Sequence, residues 1–220
     1  MKLYPSLISA NLLNLETMIN TLKTHCDGYH IDIMDGHFVP RITWGPCFSN
    51  AIAQATALPL HIHLMVTNPA KVIEQLETRP FDCISFHAEA LASPEQVVST
   101  IEAIEQKKTR SGLVINPNTP LQAITQYVEH LDELVIMSVQ PGASGQPFIP
   151  EMMKKIEDAI MLKQSLKPSL KIIVDGGVNQ ENIKQLAAYG VDACGVAAAI
   201  FLSENPIQAL KTLYEAATIK

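Results

Sequence analysis

Short apolar segments alternate with longer amphipathic ones along the whole chain. The apolar segments are only a few residues long and rich in Ile and Val, which is typical of strands that are buried on both faces of a parallel sheet. We predict eight such strands, over residues 3–7, 28–33, 60–65, 83–87, 112–115, 134–137, 172–175 and 193–196.

The segments between these strands have the periodicity of helices. In residues 14–23 the apolar positions 15, 18, 19 and 22 follow the spacing of one helix face. Several segments open with a capping residue followed by proline, as in Asn68-Pro69 and Ser93-Pro94. We predict further helices over residues 68–76, 93–106, 121–129, 150–163, 180–188 and 207–217, and the weakest pattern is that of 47–57.

The alternation of strands and helices predicts the fold class. A doubly wound sheet usually has about five or six strands, so that eight favour a closed barrel. No linker or change of composition divides the chain, and we therefore predict a single (β/α)8 TIM barrel as one α/β domain over residues 1–220. In such barrels the active site lies at the C-terminal ends of the strands.

Composition restricts the classes of partner. The net charge is −6 and the 16 Lys and Arg residues are scattered, which argues against binding to nucleic acid. The N-terminal segment lacks the long apolar region of a signal peptide, and no segment reaches the roughly 18 apolar residues that a membrane-spanning helix needs. The four cysteines are far apart, which favours free thiols. We expect a cytoplasmic homo-oligomer with no membrane partner.

Polar side chains cluster at the ends of three predicted strands. His30, Asp32 and Met34 alternate with two isoleucines, so they face one side of their strand, where a buried carboxylate needs a partner or a cation. His63 lies within the next strand, where it alternates in the same way with His61 and is followed by Met65, and Asp175 ends the seventh strand. Two imidazoles and two carboxylates would suit one divalent ion, with Zn²⁺ favoured over Fe²⁺, Mn²⁺ or Co²⁺. The neighbouring His61 is expected to lie one layer deeper and to be structural, and the role of His87 stays open.

Glycines follow the last strands of the predicted barrel. Gly142 and Gly145 come after the sixth strand, and Gly176 and Gly177 after the seventh. Glycine permits close approach of the backbone to a ligand, and barrel enzymes often bind phosphate with these loops. The glycines therefore predict an anion pocket.

Several motifs together resemble a known family, the ribulose-phosphate 3-epimerases. The resemblance runs in order over nearly the whole chain. It rests on Pro5-Ser-Leu-Ile-Ser-Ala-Asn11, His30-Ile-Asp-Ile-Met-Asp-Gly-His-Phe-Val-Pro40, His63-Leu-Met-Val66, Gly112-Leu-Val-Ile-Asn-Pro117, Met137-Ser-Val139 and Asp175-Gly-Gly-Val178.

The resemblance implies a metal-dependent isomerase acting on a sugar phosphate. Asp32 and Asp175 match the acid/base pair of the family, and they match metal ligands together with His30 and His63. Ser6 matches a substrate contact. Further contacts to substrate are expected from His63, Met34, Met65, Met137, Gly142, Gly145, Gly176, Gly177, Ala197 and Ala198. The implied reaction interconverts D-ribulose 5-phosphate and D-xylulose 5-phosphate by two-base proton transfer through a metal-stabilised enediolate.

The sequence departs from the family pattern at three places. Asn11 replaces Asp, Ala143-Ser144 replaces Phe-Gly, and Ala197-Ala198 replaces a Gly-Ser pair that helps to bind phosphate. Two alternatives therefore stay open: an allulose-6-phosphate 3-epimerase or related hexulose-phosphate epimerase, and a non-catalytic paralogue that binds metal and sugar phosphate. Barrel decarboxylases and Schiff-base aldolases are disfavoured, because no lysine ends a predicted strand.

Overall fold

A computed structural model describes residues 1–218 of the chain. Eight parallel strands form one sheet and confirm the predicted TIM barrel. The bounds of the strands are β1 Lys2–Pro5, β2 Tyr29–Met34, β3 Leu60–Met65, β4 Cys83–His87, β5 Arg110–Ile115, β6 Glu133–Met137, β7 Lys171–Asp175 and β8 Ala193–Val196.

The barrel closes between its first two strands. The strand order is β1-β8-β7-β6-β5-β4-β3-β2, so β1 and β2 stand at the two ends of the sheet. A parallel bridge from Ser6 to His30 joins them. Below this bridge, Asp27 accepts a hydrogen bond from the backbone N of Leu3 at 3.0 Å and another from the hydroxyl of Tyr214. We call this junction the β1–β2 seam.

Helices cover the outside of the barrel. They are α1 Leu15–Leu22, α2 Pro46–Ala55, α3 Pro69–Gln75, α4 Pro94–Gln106, α5 Met152–Leu166, α6 Ile183–Tyr189, α7 Ala198–Phe201 and α8 Pro206–Ala217. The weakest prediction, residues 47–57, is confirmed by α2. The short α7 was not predicted.

One predicted helix is wrong. Residues 121–129 form two 3₁₀ segments, Leu121–Ala123 and Thr125–His130. Their hydrogen bonds join residues three apart, as from Tyr127 N to Ile124 O at 2.9 Å. β-Branched and aromatic side chains make this segment a weak α-helix former, and the apolar spacing alone does not distinguish the two kinds of helix.

Strand side chains alternate between two buried layers. Ile31 and Ile33 of β2 belong to the large core between sheet and helices. The intervening His30 and Asp32 point into the barrel, where they are 0% and 5% exposed. This alternation carries polar groups into the barrel interior without breaking the outer core. None of the helices within residues 1–218 has the length and apolar character needed to cross a membrane.

Candidate active site and metal centre

A cavity of about 380 Å³ opens at the C-terminal ends of the strands, where a barrel enzyme places its chemistry. Most predicted site residues line it, namely Ser6, Asp32, Met34, Met65, Met137, Gly142, Gly145, Asp175, Gly176, Gly177, Ala197 and Ala198. His30 and His63 are fully buried and are not among the lining residues.

Four side chains from three strands converge on one point. Nε2 of His30 lies 3.1 Å from Oδ1 of Asp32 and 3.4 Å from Oδ2 of Asp175. Nδ1 of His63 lies 3.3 Å and 3.2 Å from the same two oxygens. Ligands placed 2.0–2.1 Å from a tetrahedral zinc ion are about 3.3–3.4 Å apart, so a cluster with these spacings could hold such an ion.

Two further observations fit a cation at this point. Nδ1 of His63 is buried and has no hydrogen-bond partner of good geometry within residues 1–218. At Gly195 of β8, an added Cβ would lie 2.8 Å from Oδ1 of Asp175 and 3.3 Å from Nδ1 of His30. A side chain there would crowd the cluster, so glycine is required beside it. No pattern in the sequence indicated this role for Gly195.

Mutual charge determines the protonation of the cluster. Burial favours a lower pKa for His30, but the charges of Asp32 and Asp175 outweigh burial and raise the pKa well above 6.5. Burial favours a higher pKa for both carboxyl groups, and the facing His30 outweighs it, so both pKa values lie below the usual range. Both carboxylates are therefore ionised at neutral pH, as metal ligands and general bases must be.

The cavity is partly apolar above the cluster. Ser6 donates a hydrogen bond of 2.7 Å from Oγ to Oδ2 of Asp32, which fixes the orientation of that carboxylate. Met34 and Met65 lie side by side on β2 and β3, and Met137 ends β6 on the same cavity. These thioethers offer a polarizable apolar wall to a ligand.

Backbone conformation makes two of the loop glycines necessary. Gly176 has φ +107°, and an added Cβ would lie 2.3 Å from Cγ2 of Val139. Gly177 has φ +64°, and an added Cβ would lie 2.5 Å from the backbone N of Phe148. Both residues line the cavity, so the glycines bring the main chain close to a bound ligand.

Sequence reasoning singled out His61 and His87 but missed the glutamates that they contact. His61 contacts His30 and Glu133, which is 1% exposed at the start of β6. His87 contacts His63 and Glu89. Burial lowers the pKa of His61, and it lowers the pKa of His87 to about 4. Both imidazoles are therefore neutral at physiological pH.

Comparison with known proteins now decides the family. The model of the ribulose-phosphate 3 epimerase family matches residues 2–201. The chain belongs to this family. Its relatives include the ribulose-phosphate 3-epimerase of Bacillus subtilis, with 37% identity over 91% of this chain and 92% of the relative. That of Methanocaldococcus jannaschii is 36% identical over 98% of this chain and 91% of the relative. Ribulose-phosphate 3-epimerases are carbohydrate epimerases, which confirms the predicted isomerase.

Solved structures of other activities share the fold. A 3-hexulose-6-phosphate synthase from Salmonella typhimurium superposes with a TM-score of 0.70 at 16% identity, covering 99% of this chain and 98% of that one. An orotidine 5'-phosphate decarboxylase from Pyrococcus horikoshii superposes with a TM-score of 0.65 at 13% identity, covering 98% of each chain. At such identities the likeness concerns the barrel alone.

Proposed function

We propose that the enzyme inverts C3 of a ketose phosphate and interconverts D-ribulose 5-phosphate and D-xylulose 5-phosphate. The observation that carries this proposal is the pair of carboxyl groups, Asp32 on β2 and Asp175 on β7, on the wall of one cavity. The family membership supports the choice of substrate, because the relatives are named for ribulose phosphate. We further propose that the enzyme is a cytoplasmic homo-oligomer.

Two carboxylates on different strands suit an inversion. The reaction removes the proton on C3, next to the C2 carbonyl, and returns a proton to the opposite face of C3. One base cannot readily serve both faces, so Asp32 and Asp175 take opposite roles, and the roles exchange in the reverse direction. Ser6 holds Asp32 in place through its 2.7 Å hydrogen bond. The methionines keep water from the carbanionic intermediate.

The metal proposal rests on the same cluster. His30, Asp32, His63 and Asp175 would hold one divalent ion, and their two nitrogens and two oxygens favour Zn²⁺ over Fe²⁺, Mn²⁺ or Co²⁺. When bound, such an ion would supply Lewis acidity for the negative charge that develops on the sugar. The backbone at Gly142, Gly145, Gly176, Gly177, Ala197 and Ala198 is proposed to line the phosphate pocket.

Exchange of the C3 proton with solvent tests the reaction. In D₂O, NMR should show deuterium entering C3 of ribulose 5-phosphate and xylulose 5-phosphate during turnover, because the removed and returned protons pass through the two carboxylates. Retention of the original proton through many turnovers would contradict the two-base proposal. The same assay with allulose 6-phosphate tests the hexulose alternative, and exchange with that sugar alone would replace the pentulose assignment.

A further inference from the structure

Two histidine–glutamate pairs lie directly behind the proposed metal ligands. The lower pair, His61 and Glu133, stands beneath His30, and the upper pair, His87 and Glu89, stands beside His63. We propose that these pairs are positioning groups, which hold His30 and His63 in the tautomers that bind a metal ion. This inference rests on the proposed function, since it assigns a purpose to residues around the same centre.

Hydrogen-bond geometry determines the tautomers at the lower pair. Nε2 of His30 faces the two carboxylates and must be unprotonated to bind a metal, so its proton lies on Nδ1. That Nδ1 is 2.9 Å from Nδ1 of His61, which must then accept the hydrogen bond. His61 consequently carries its own proton on Nε2, and this atom is 3.1 Å from Oε2 of Glu133.

The environment of the lower pair supports this assignment. Nε2 of His61 and Oε2 of Glu133 are both buried, and neither has a hydrogen bond of good geometry within residues 1–218, but the two atoms lie 3.1 Å apart and a small adjustment would pair them. The second oxygen of Glu133 is paired with Nη1 of Arg110 at 2.9 Å. The ion pair keeps Glu133 ionised and therefore able to accept from His61.

The upper pair repeats the arrangement with the ring nitrogens exchanged. Nδ1 of His63 faces the carboxylates, so the proton of this ring lies on Nε2, which is 2.9 Å from Nε2 of His87. His87 must accept there and donate from Nδ1, and this atom lies 3.3 Å from Oε2 of Glu89. The other carboxylate oxygen of Glu89 accepts from the backbone N of Asn116 at 2.8 Å, which anchors the pair to the loop after β5.

A competing interpretation is a second metal site at the lower pair. His61, Cys83 and Glu133 offer ligand atoms within 4.8 Å of one another. A cation there would lie close to the Arg110 guanidinium, which already neutralises Glu133. Positive charge so close disfavours another cation, and the hydrogen bond from His30 occupies one nitrogen of His61. The positioning role is therefore the better explanation, and the second site becomes an outcome of the test.

Titration of the metal-free protein with Zn²⁺ measures the metal affinity and tests the inference. Zn²⁺ would be titrated in competition with a chromophoric chelator, and the absorption spectrum of bound Co²⁺ would report ligand geometry. His61→Leu and His87→Leu remove the acceptor, and each should weaken Zn²⁺ binding about 10–100-fold and alter the Co²⁺ spectrum. His61→Asn and His87→Gln place an amide oxygen near the lost ring nitrogen, and they should restore affinity to within a few-fold of the wild type.

Controls separate this role from folding and from a second ion. Thermal unfolding of each metal-free variant checks that it is folded, and the two pairs supply independent tests if one leucine variant does not fold. Cys83→Ser should leave one ion per chain with unchanged affinity. A second ion that Cys83→Ser abolishes would overturn the positioning role at the lower pair.

The outcomes also distinguish this inference from the proposed function. Leucine variants that bind Zn²⁺ as tightly as the wild type would overturn the positioning role and leave the metal centre intact. Amide variants that bind Zn²⁺ as weakly as the leucine variants would also contradict it, since restoring the hydrogen-bond acceptor would then not restore the affinity. A wild-type protein that binds no ion would overturn both, whereas normal positioning effects without epimerisation would overturn only the proposed reaction.

Discussion

At the scale of single residues, two aspartates carry the proposed chemistry. Asp32 and Asp175 approach the same pair of imidazoles, and each also lines the cavity where a substrate would lie. Each carboxylate is therefore placed to act both as a metal ligand and as an acid or base. The two roles have different consequences for substitution.

Asp32→Asn and Asp175→Asn test the acid/base roles. Each change should lower kcat about 10²–10⁴-fold, because an amide cannot take or return the C3 proton. Steady-state kinetics with ribulose 5-phosphate measures this, and metal content should be determined for each variant, since loss of the ion would add to the effect. Asp192→Asn is the control, because Asp192 precedes β8 at the opposite end of the barrel and pairs with Lys163 at 2.6 Å. Near-normal kcat in either active-site variant would remove that residue from the proposed pair.

The sequence predicted the proposed metal-ligand set but not the residues that lie behind it. The strand alternation brought His30, Asp32 and His63 to one face, and the structure places them together with Asp175. Glu133 could not be found in this way, because it begins a strand on another side of the barrel. Its contact with His61 depends on how the staggered strands bring side chains together across the interior, and no local pattern records that stagger.

At the scale of elements, the junction of β8 and α7 contains one of the three places where the sequence is expected to depart from the family pattern. Ala197 and Ala198 both line the cavity, and α7 begins at Ala198. The neighbouring loop contains Ala143-Ser144, the second of the departures noted in the sequence, and Oγ of Ser144 lies 2.8 Å from Oγ of Ser9, which connects the loops after β6 and β1. The proposed phosphate pocket is therefore the part of the site where we expect the chain to differ from its relatives.

Restoring the family pattern at this junction tests its effect on phosphate. Ala197→Gly with Ala198→Ser should lower KM for pentulose phosphates about 10–100-fold, or about 1.4–2.8 kcal/mol, with little change in kcat. The reason is that phosphate contacts are remote from C3 and bind ground and transition states alike. Steady-state kinetics of the double variant and both single variants separates the two positions. An unchanged or higher KM would mean that the alanines are fitted to a different ligand.

The turn after β4 makes stability depend on pH. Burial alone would raise the pKa of Glu89, but hydrogen bonds from His87, Thr119 and Asn116 outweigh it and lower the pKa from 4.5 to about 2. A depressed carboxyl pKa contributes stability that is present above pH 4.5 and is lost as the pH falls towards 2.

Glu89→Gln removes this contribution. The variant should be less stable than the wild type at pH 7 by about 1–2 kcal/mol, a figure reduced for partial exposure, and the difference should shrink as the pH falls below 4.5. Urea unfolding at several pH values measures it, with Glu102→Gln on the exposed face of α4 as the control. A difference that stays constant between pH 7 and pH 3 would contradict the assignment to Glu89.

Element prediction succeeded where periodicity and burial agree. The strands carry near-continuous apolar sequence and were found within a few residues of their bounds, but β1 ends at Pro5 and not at residue 7. The helix predicted over 121–129 failed because the apolar positions of a 3₁₀ segment also recur every three residues. Spacing in a short segment cannot decide between these two hydrogen-bond patterns.

At the scale of the whole molecule, chain ends and the β1–β2 seam are connected. Asp27 precedes β2, and its carboxylate accepts hydrogen bonds from Leu3 in β1 and from Tyr214 in α8. One side chain therefore connects β1, β2 and α8. The closed barrel and its family were predictable from eight repeats and their motifs. The hydrogen bond between Tyr214 and Asp27 was not predictable, because the two residues are 187 positions apart and Tyr214 has no sequence signature.

Tyr214→Phe tests the contribution of the hydrogen bond between Tyr214 and Asp27 to stability. Loss of a hydrogen bond to a partly buried carboxylate should lower the free energy of unfolding by about 1.5–3 kcal/mol. Urea denaturation measures it, and Tyr189→Phe is the control, since Tyr189 only accepts from Gln185 within α6, at 2.8 Å. Equal stability of both variants would show that the seam does not depend on Tyr214.

The position of the β1–β2 seam also predicts the order in which activity and secondary structure are lost on heating. Neighbouring strands elsewhere pair over three to six residues, whereas β1 and β2 share one bridge, between Ser6 and His30. Ser6 orients Asp32, and His30 belongs to the proposed metal cluster, so the strand junction with the fewest bridges is also part of the proposed catalytic centre. Partial opening there would disable the site while the remaining strands stay paired. On heating, the enzyme should therefore lose activity at a lower temperature than the one at which its far-UV circular dichroism signal is lost.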